Sequence, residues 1–282
     1  MQVREVRHLL KPPCPALDVH VHPLNCFGPH RVADVREDAR LLAEIGKRSG
    51  VEVMCVFSLH PECPREPSMA QCREANDYAL AMRDAVPDVF KPFCYVTPEF
   101  PDESAAEIER CVSGEQMCGI KLWVAVRASD ARLDPIMDGA RSTGVPVLQH
   151  AWRNTLGGLT GESRPADVAN LARRYPDVNI IMAHMNGAGL RGFEDIADCP
   201  NVVVDTSGGD PEGGVTEAAV ATLGASRVVY GSDAAIRHFG TQMGKVLGAD
   251  LDDHAKRDIL WNNAARLLPP WAGVEPLGGD AA

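Results

Sequence analysis

The sequence predicts an α/β chain folded as one closed (β/α)8 barrel, and three observations carry that expectation. Short apolar runs alternate with amphipathic helical segments along the chain, giving eight strand candidates. Those runs are apolar throughout, as strands are in a parallel sheet covered on both faces. No Gly-x-Gly-x-x-Gly loop follows the first strand, and polar residues recur at the C-terminal ends of many strands. Both points favour a TIM barrel over an open doubly wound sheet.

The first run, ALDVHVHP from Ala16 to Pro23, ends in two histidines one residue apart. Residues i and i+2 of a strand face the same side, so His20 and His22 present two imidazoles to one point, a geometry for gripping a metal ion. Pro23 and the polar, Gly-containing stretch after it stop the strand there. Helical spacing at Val32, Val35, Leu42 and Ile45 precedes a buried strand from Val51 to Leu59. Ala75, Tyr78, Met82 and Val86 mark a second helix, leading to a strand from Phe93 to Val96. A helix from about Glu103, a strand Met117 to Trp123, a helix from about Ala131 and a strand Val145 to His150 follow.

The second half repeats the pattern. It runs through a helix Pro165 to Tyr175, strand Asn179 to His184, a short helix near Leu190, and strand Val202 to Asp205. A helix Val215 to Leu223, strand Arg227 to Gly231 and a C-terminal helical region complete it. No low-complexity linker or internal repeat interrupts the series. The expectation is a single domain over residues 1–282, with a core at about 16–268 and a Gly/Pro-rich tail from about Pro269.

At 282 residues the chain is long enough for a large core, and its 45% apolar and 24% charged residues are those of a soluble globular protein. Its 39 acidic residues outnumber 28 basic ones, for a net charge of −11, so phosphate backbones would repel it and nucleic acid is not an expected partner. No apolar run matches a signal-peptide core or a membrane span, which reads as a cytoplasmic protein without a membrane partner. Nine scattered cysteines with no Cys-x-x-Cys pair read as reduced thiols serving as small apolar residues. The partner expected is a small-molecule substrate; oligomeric state, a homo-oligomer included, is left open.

The strand ends carry the chemistry. His150 ends VPVLQH, His184 ends NIIMAH, Asp233 follows RVVYGS, and Lys121 sits in MCGIKLW. All would share the rim of His20 and His22, where barrel enzymes build their sites. Nitrogen and oxygen donors of this kind suit zinc, iron, nickel or manganese. The segments DVHVH, GIKLW, VLQHAW, IIMAHMNG, NVVVDTS, VYGSDA and ILWNNAARLL, in that order over about residues 16 to 268, resemble the amidohydrolase superfamily. The branch they resemble is the amidohydrolase-related (amidohydrolase 2) family of metal-dependent hydrolases.

That resemblance implies a mononuclear divalent metal, Zn²⁺ first with Mn²⁺, Fe²⁺ or Ni²⁺ as alternatives, held by His20, His22, His150 and Asp233. Asp233 and His184 would be the catalytic pair, His184 as electrophile or acid/base. In binuclear relatives a carboxylated strand-four lysine bridges two metals, and His150 and His184 would then serve the second ion. Lys121 at an ordinary pKa of about 10.4 is charged and cannot ligate, so it would need carboxylation or a strong depression; charged, it could hold a substrate carboxylate.

The implied reaction is hydrolysis of an amide, lactone or ester of a small anionic substrate by metal-activated water. Non-oxidative decarboxylation of an unsaturated or aromatic carboxylate is the alternative, and a catalytically idle metal-binding barrel a third reading. The decarboxylase relatives usually lack the strand-four lysine, are generally longer, and some replace the first histidine by glutamate. Arg153, Trp152, Trp123 and His60, on loops at the active rim, are expected to touch substrate. Asp205 is expected to orient a ligand. His8, His30, His238 and His254 are read as structural or surface residues, with His238 near enough to the Asp233 loop to line the pocket.

Overall fold

A computed structural model describes residues 11–27, 31–153, 158–209 and 212–278; His8 and His30 lie outside these. Eight parallel strands pair in chain order: β1 (Ala16–Val21), β2 (Val51–Val56), β3 (Phe90–Tyr95), β4 (Gly119–Leu122), β5 (Val147–Gln149), β6 (Ile180–Met182), β7 (Val202–Asp205) and β8 (Val228–Val229). Between them run helices α1 (Val35–Arg48), α2 (Met69–Ala85), α3 (Pro101–Ile108), α4 (Asp134–Thr143), α5 (Pro165–Arg174), α6 (Met185–Asp195) and α7 (Val215–Leu223). After β8 come α8 (Phe239–Leu247), α9 (Asp253–Arg257) and α10 (Asn263–Leu267). The fold is the expected (β/α)8 barrel.

Closure between β8 and β1 rests on backbone bonds near the active rim. Val19 N–H donates to the Tyr230 carbonyl at 3.0 Å and Asp233 N–H to the His20 carbonyl at 2.9 Å. His22 N–H donates to the Ala234 carbonyl.

Strand alternation produces two apolar layers. Leu17, Val19, Phe57, Phe93, Leu148 and Val229 fill the barrel, while Val21, Met54, Ile120, Val147, Ile180 and Val202 pack outward against the helices. Gly119 has no side chain because the Phe93 ring occupies the space; a Cβ there would lie 2.6 Å from it. Trp261, Ala264 and Ala265 join the inner cluster from the C-terminal region. The expected tail is packed rather than loose, since Trp261 Nε1 donates to the Glu275 carbonyl at 2.8 Å and Leu277 N–H to Asn262 Oδ1 at 2.8 Å.

Helix starts follow their caps. Asp34 accepts from Arg36 and Glu37 N–H at the start of α1, and Ser68 with Gln71 forms a capping box on α2. Inside α1, buried Asp38 accepts from Leu24 N–H at 3.0 Å and Asn25 N–H at 2.9 Å, pinning the loop after β1. Several strands are shorter than their apolar runs, because the ladder ends before the last apolar or polar residue. Thus β5 stops at Gln149 and β6 at Met182, leaving His150 and His184 just beyond, free to turn inward. No helix among the described residues is long and apolar enough to cross a membrane.

Candidate metal centre

The β1–β8 corner gathers three buried donors. His20 Nε2 lies 3.5 Å and His22 Nε2 3.3 Å from Asp233 Oδ1, and the three ligating atoms fall within 4.8 Å of one another. A register shift in β1 between Asp18 and Val21 accompanies this inward placement of both rings. His20 Nδ1 donates to Asp205 Oδ2 at 2.8 Å, which fixes the tautomer and leaves the Nε2 lone pair facing the cluster. Burial holds both imidazoles below their ordinary pKa, and for His20 the Lys121 charge adds to the effect. Burial would raise the Asp233 carboxyl, but His22, His20 and Lys121 outweigh it and hold it below its ordinary value. Two neutral imidazoles and one ionised carboxylate, converging on one point, are the protonation state a divalent ion requires. The donor set fits such an ion.

The β5–β6 corner is organised differently. His150 Nε2 meets Glu162 Oε1 at 2.9 Å, and its Nδ1 lies 3.0 Å from His184 Nε2. A carboxylate only accepts, so His150 carries its proton on Nε2 and its Nδ1 accepts from His184. His184 Nδ1 in turn lies 2.9 Å from Ser207 Oγ, and the same hydroxyl meets Asp205 Oδ1. His150, expected as a metal ligand, has both ring nitrogens hydrogen-bonded here and lines the same cavity as the three-donor cluster. His184 holds a left-handed backbone (φ 74°), and Asp205 Oδ1 accepts its N–H at 2.9 Å. Gly208, at φ 85°, passes so close that a Cβ would lie 2.7 Å from the His184 Cβ.

Both corners open on one cavity of about 170 Å³. It is lined by His20, His22, His150, His184, Asp233, Lys121, Trp123 and Trp152, together with Phe27, Leu59 and Ile236. Lys121 is buried with Nζ 4.6 Å from the Phe57 ring centre. Burial lowers its ammonium to about 7, against the opposing pull of Asp205 and Asp233. Two residues expected to touch substrate are not among the described lining. His60 has a left-handed backbone (φ 69°) and turns to Glu74 at 3.2 Å. Arg153 turns to Asp195 of α6 at 3.3 Å. In each case a nearby carboxylate outside the cavity captures the side chain.

His238 accepts from Gly240 N–H at 3.1 Å, capping α8, and lines a different, apolar cavity of about 380 Å³ with Leu24, Leu42, Ile45 and Phe239. That larger cavity has no carboxylate in its lining and is not where the titratable groups converge. Asp205 takes the orienting place expected of it, bonding His20, His184 and Ser207. Sequence reasoning missed Glu162, Ser207, Phe27 and Phe57. Glu162 lies in the loop after β5, twelve residues past His150 and off any strand end, so its sole signal was an acidic residue among small ones in TGES.

A family model described as amidohydrolase matches residues 18–269, and the chain belongs to that family. Family and donor set together support a divalent metal. In fold it is similar to solved structures of three decarboxylases, all below the identity at which likeness reaches beyond fold. A 2,6-dihydroxybenzoate decarboxylase from Rhizobium is 20% identical (TM-score 0.71), with 91% of this chain and 98% of that one covered. A 5-carboxyvanillate decarboxylase from Sphingomonas paucimobilis is 14% identical (TM-score 0.70; 90% and 98% covered). A dihydroxybenzoic acid decarboxylase from Polaromonas sp. JS666, with bound manganese and 2-nitroresorcinol, is 20% identical (TM-score 0.69; 91% and 97% covered). No curated protein sequence matches significantly.

Proposed function

We propose that this chain is a metal-dependent, non-oxidative decarboxylase of a small aromatic or unsaturated carboxylate. The observation that carries the reading is the cavity itself: a three-donor cluster and one ammonium among aromatic walls, in about 170 Å³. That is below the roughly 300–1,000 Å³ of pockets for drug-sized ligands, which suits a single small ring. The named activities of the three similar structures support the same choice, and they weigh against the hydrolysis first expected.

In this reading His20, His22 and Asp233 hold the ion, which supplies positive charge to orient and polarise an anionic substrate. Zn²⁺ and Mn²⁺ both suit two imidazoles and a carboxylate; the manganese in the Polaromonas structure favours Mn²⁺. Trp123, Trp152 and Phe27 bracket the ring, and Lys121 pairs with an anionic oxygen. The carbon–carbon bond breaks, carbon dioxide leaves, and the electron pair stays on the ring carbon, which then takes a proton. Asp233 and His184 are the wall groups that can carry it, with Glu162, His150 and Ser207 setting the orientation of His184.

Hydrolysis is the second reading, and one observation favours it. Lys121 sits where binuclear hydrolases carry a carboxylated lysine, and at about 7 its amine is neutral often enough to react with carbon dioxide. One assay separates the two: the Mn²⁺-loaded protein with hydroxybenzoates, lactones and amides, followed by mass spectrometry in ¹⁸O-water. The expected outcome is carbon dioxide release without ¹⁸O in the organic product; ¹⁸O incorporation into a cleaved ester or amide overturns the reading.

A further inference from the structure

Two loops that each lend a residue, Phe27 and Leu59, to the cavity wall carry neighbouring cysteines. Cys26 follows β1 in the loop pinned by Asp38, fully buried, with Sγ 2.9 Å from Ser58 Oγ and 3.2 Å from Asn25 Oδ1. Cys63, in the loop after β2, is half-buried and has a left-handed backbone (φ 46°). Its Sγ lies 3.2 Å from the His60 carbonyl and 3.9 Å from the Cys26 carbonyl. The two sulfurs lie near enough to shift each other's ionisation in opposite directions.

The other cysteines do not offer this arrangement. Cys94 and Cys111 also meet but are both buried. Cys14 is half-buried, has no neighbouring thiol among its influences, and burial pushes it up to about 11. In the Cys26–Cys63 pair the contact divides the two sulfurs: it favours thiolate on the accessible Cys63 and thiol on the buried Cys26. A half-buried attacking sulfur beside a fully buried second one is the arrangement of a reactive and a resolving cysteine.

We propose that Cys26 and Cys63 form a peroxide-responsive dithiol that closes to a disulfide linking the two loops that supply Phe27 and Leu59 to the cavity wall. The Cys63 thiolate attacks one peroxide oxygen; the O–O bond breaks, hydroxide leaves and Cys63 becomes a sulfenic acid. The Cys26 sulfur then attacks the Cys63 sulfur. Its thiol proton leaves with the departing hydroxyl as water, and the S–S bond forms. The two thiols supply two electrons, and peroxide is reduced to water. A dithiol reductant reverses the change.

The bond would act on the site through its neighbours. Phe27, next to Cys26, stacks on His22 at 4.9 Å between ring centres. Leu59, four residues before Cys63, lines the same cavity. Closing the disulfide therefore ties the two loops that carry these lining residues to one spacing.

The test treats the reduced full-length protein with hydrogen peroxide, alkylates what remains free, and maps peptides by mass spectrometry. The expected result is a linked Cys26–Cys63 peptide, with free thiols falling from nine to seven and returning to nine with dithiothreitol. C26S should halt at a Cys63 sulfenic acid that dimedone traps, and C63S should keep its thiols reduced at the same dose. The decisive reading is made on the wild-type chain, whether or not the variants fold. Cys63 linked to a different cysteine, or over-oxidised without a Cys26 link, overturns the proposal.

Discussion

The two histidine corners of the cavity use the same side chain in opposite ways. At the β1–β8 corner, His20 Nε2 and His22 Nε2 face Asp233 Oδ1 across 3.5 and 3.3 Å. At the β5–β6 corner, His150 and His184 spend their ring nitrogens on Glu162, Ser207 and each other at 2.9–3.0 Å. What separates the two corners is the neighbour of each ring. A carboxylate behind the ring, as Asp205 is to His20, pushes the opposite nitrogen forward as a donor atom. Glu162 holds His150 in the same way, but there the opposite nitrogen is taken up by His184.

The contrast can be broken most forcefully at Asp233. Replacing it with Ala should reduce bound metal well below one ion per chain and lower turnover by about 10³-fold or more, judged by the 10²–10⁴ typical of a proton-transferring group plus the lost ligand. Metal analysis alongside steady-state kinetics checks both. Glu162→Gln sharpens it: kcat should fall about 10²-fold while metal content stays unchanged. A parallel loss of metal would instead make His150 a ligand and merge the two corners.

Gly208→Ala acts first on His184, forcing a Cβ to within 2.7 Å of it at a φ of 85°. A cost of about 1–3 kcal/mol is expected in urea denaturation, with His20 and His22 still binding metal. Lys121 sits between the corners, and its sign can be worked out. Its folded pKa is lowered, to about 7, so above that value the unfolded chain holds more protons and stability rises with pH until the unfolded lysine also deprotonates. Between about pH 7.5 and about pH 9.5 the metal-free protein should gain up to about 1.4 kcal/mol per pH unit from this group. K121M should flatten that slope, as pH-dependent denaturation curves would show. The smallest effect belongs to Arg153→Ala, which removes a half-exposed ion pair away from both corners; kcat/KM should change less than about twofold.

Much of the architecture was legible because period and polarity act locally. The β7 run Val202–Asp205 and the helix Val215–Leu223 fall where their patterns put them, since each buries its apolar face without help from a distant residue. His20, His22, Lys121, Trp123, Trp152, His184 and Asp233 were legible by their positions at or just past strand ends. Glu162 and Ser207 were not, because their importance depends on which ring nitrogen lies nearby. His60 and Arg153 look like site residues in the chain and are drawn off by Glu74 and Asp195, two partners that spacing does not reveal. The choice between hydrolysis and decarboxylation is not legible in the sequence for a related reason: strand-end donors are common to both, and the aromatic walls come partly from loops.

The seam that closes the barrel has a further consequence. Asp233 N–H bonds the His20 carbonyl, so the residues that gather the donors also join the first strand to the last. An ion held there would be a crosslink between distant parts of the chain, in effect making the barrel circular. Holding the ion and keeping the barrel shut then become a single equilibrium, and a chelator would loosen the fold at the place where it stops the chemistry.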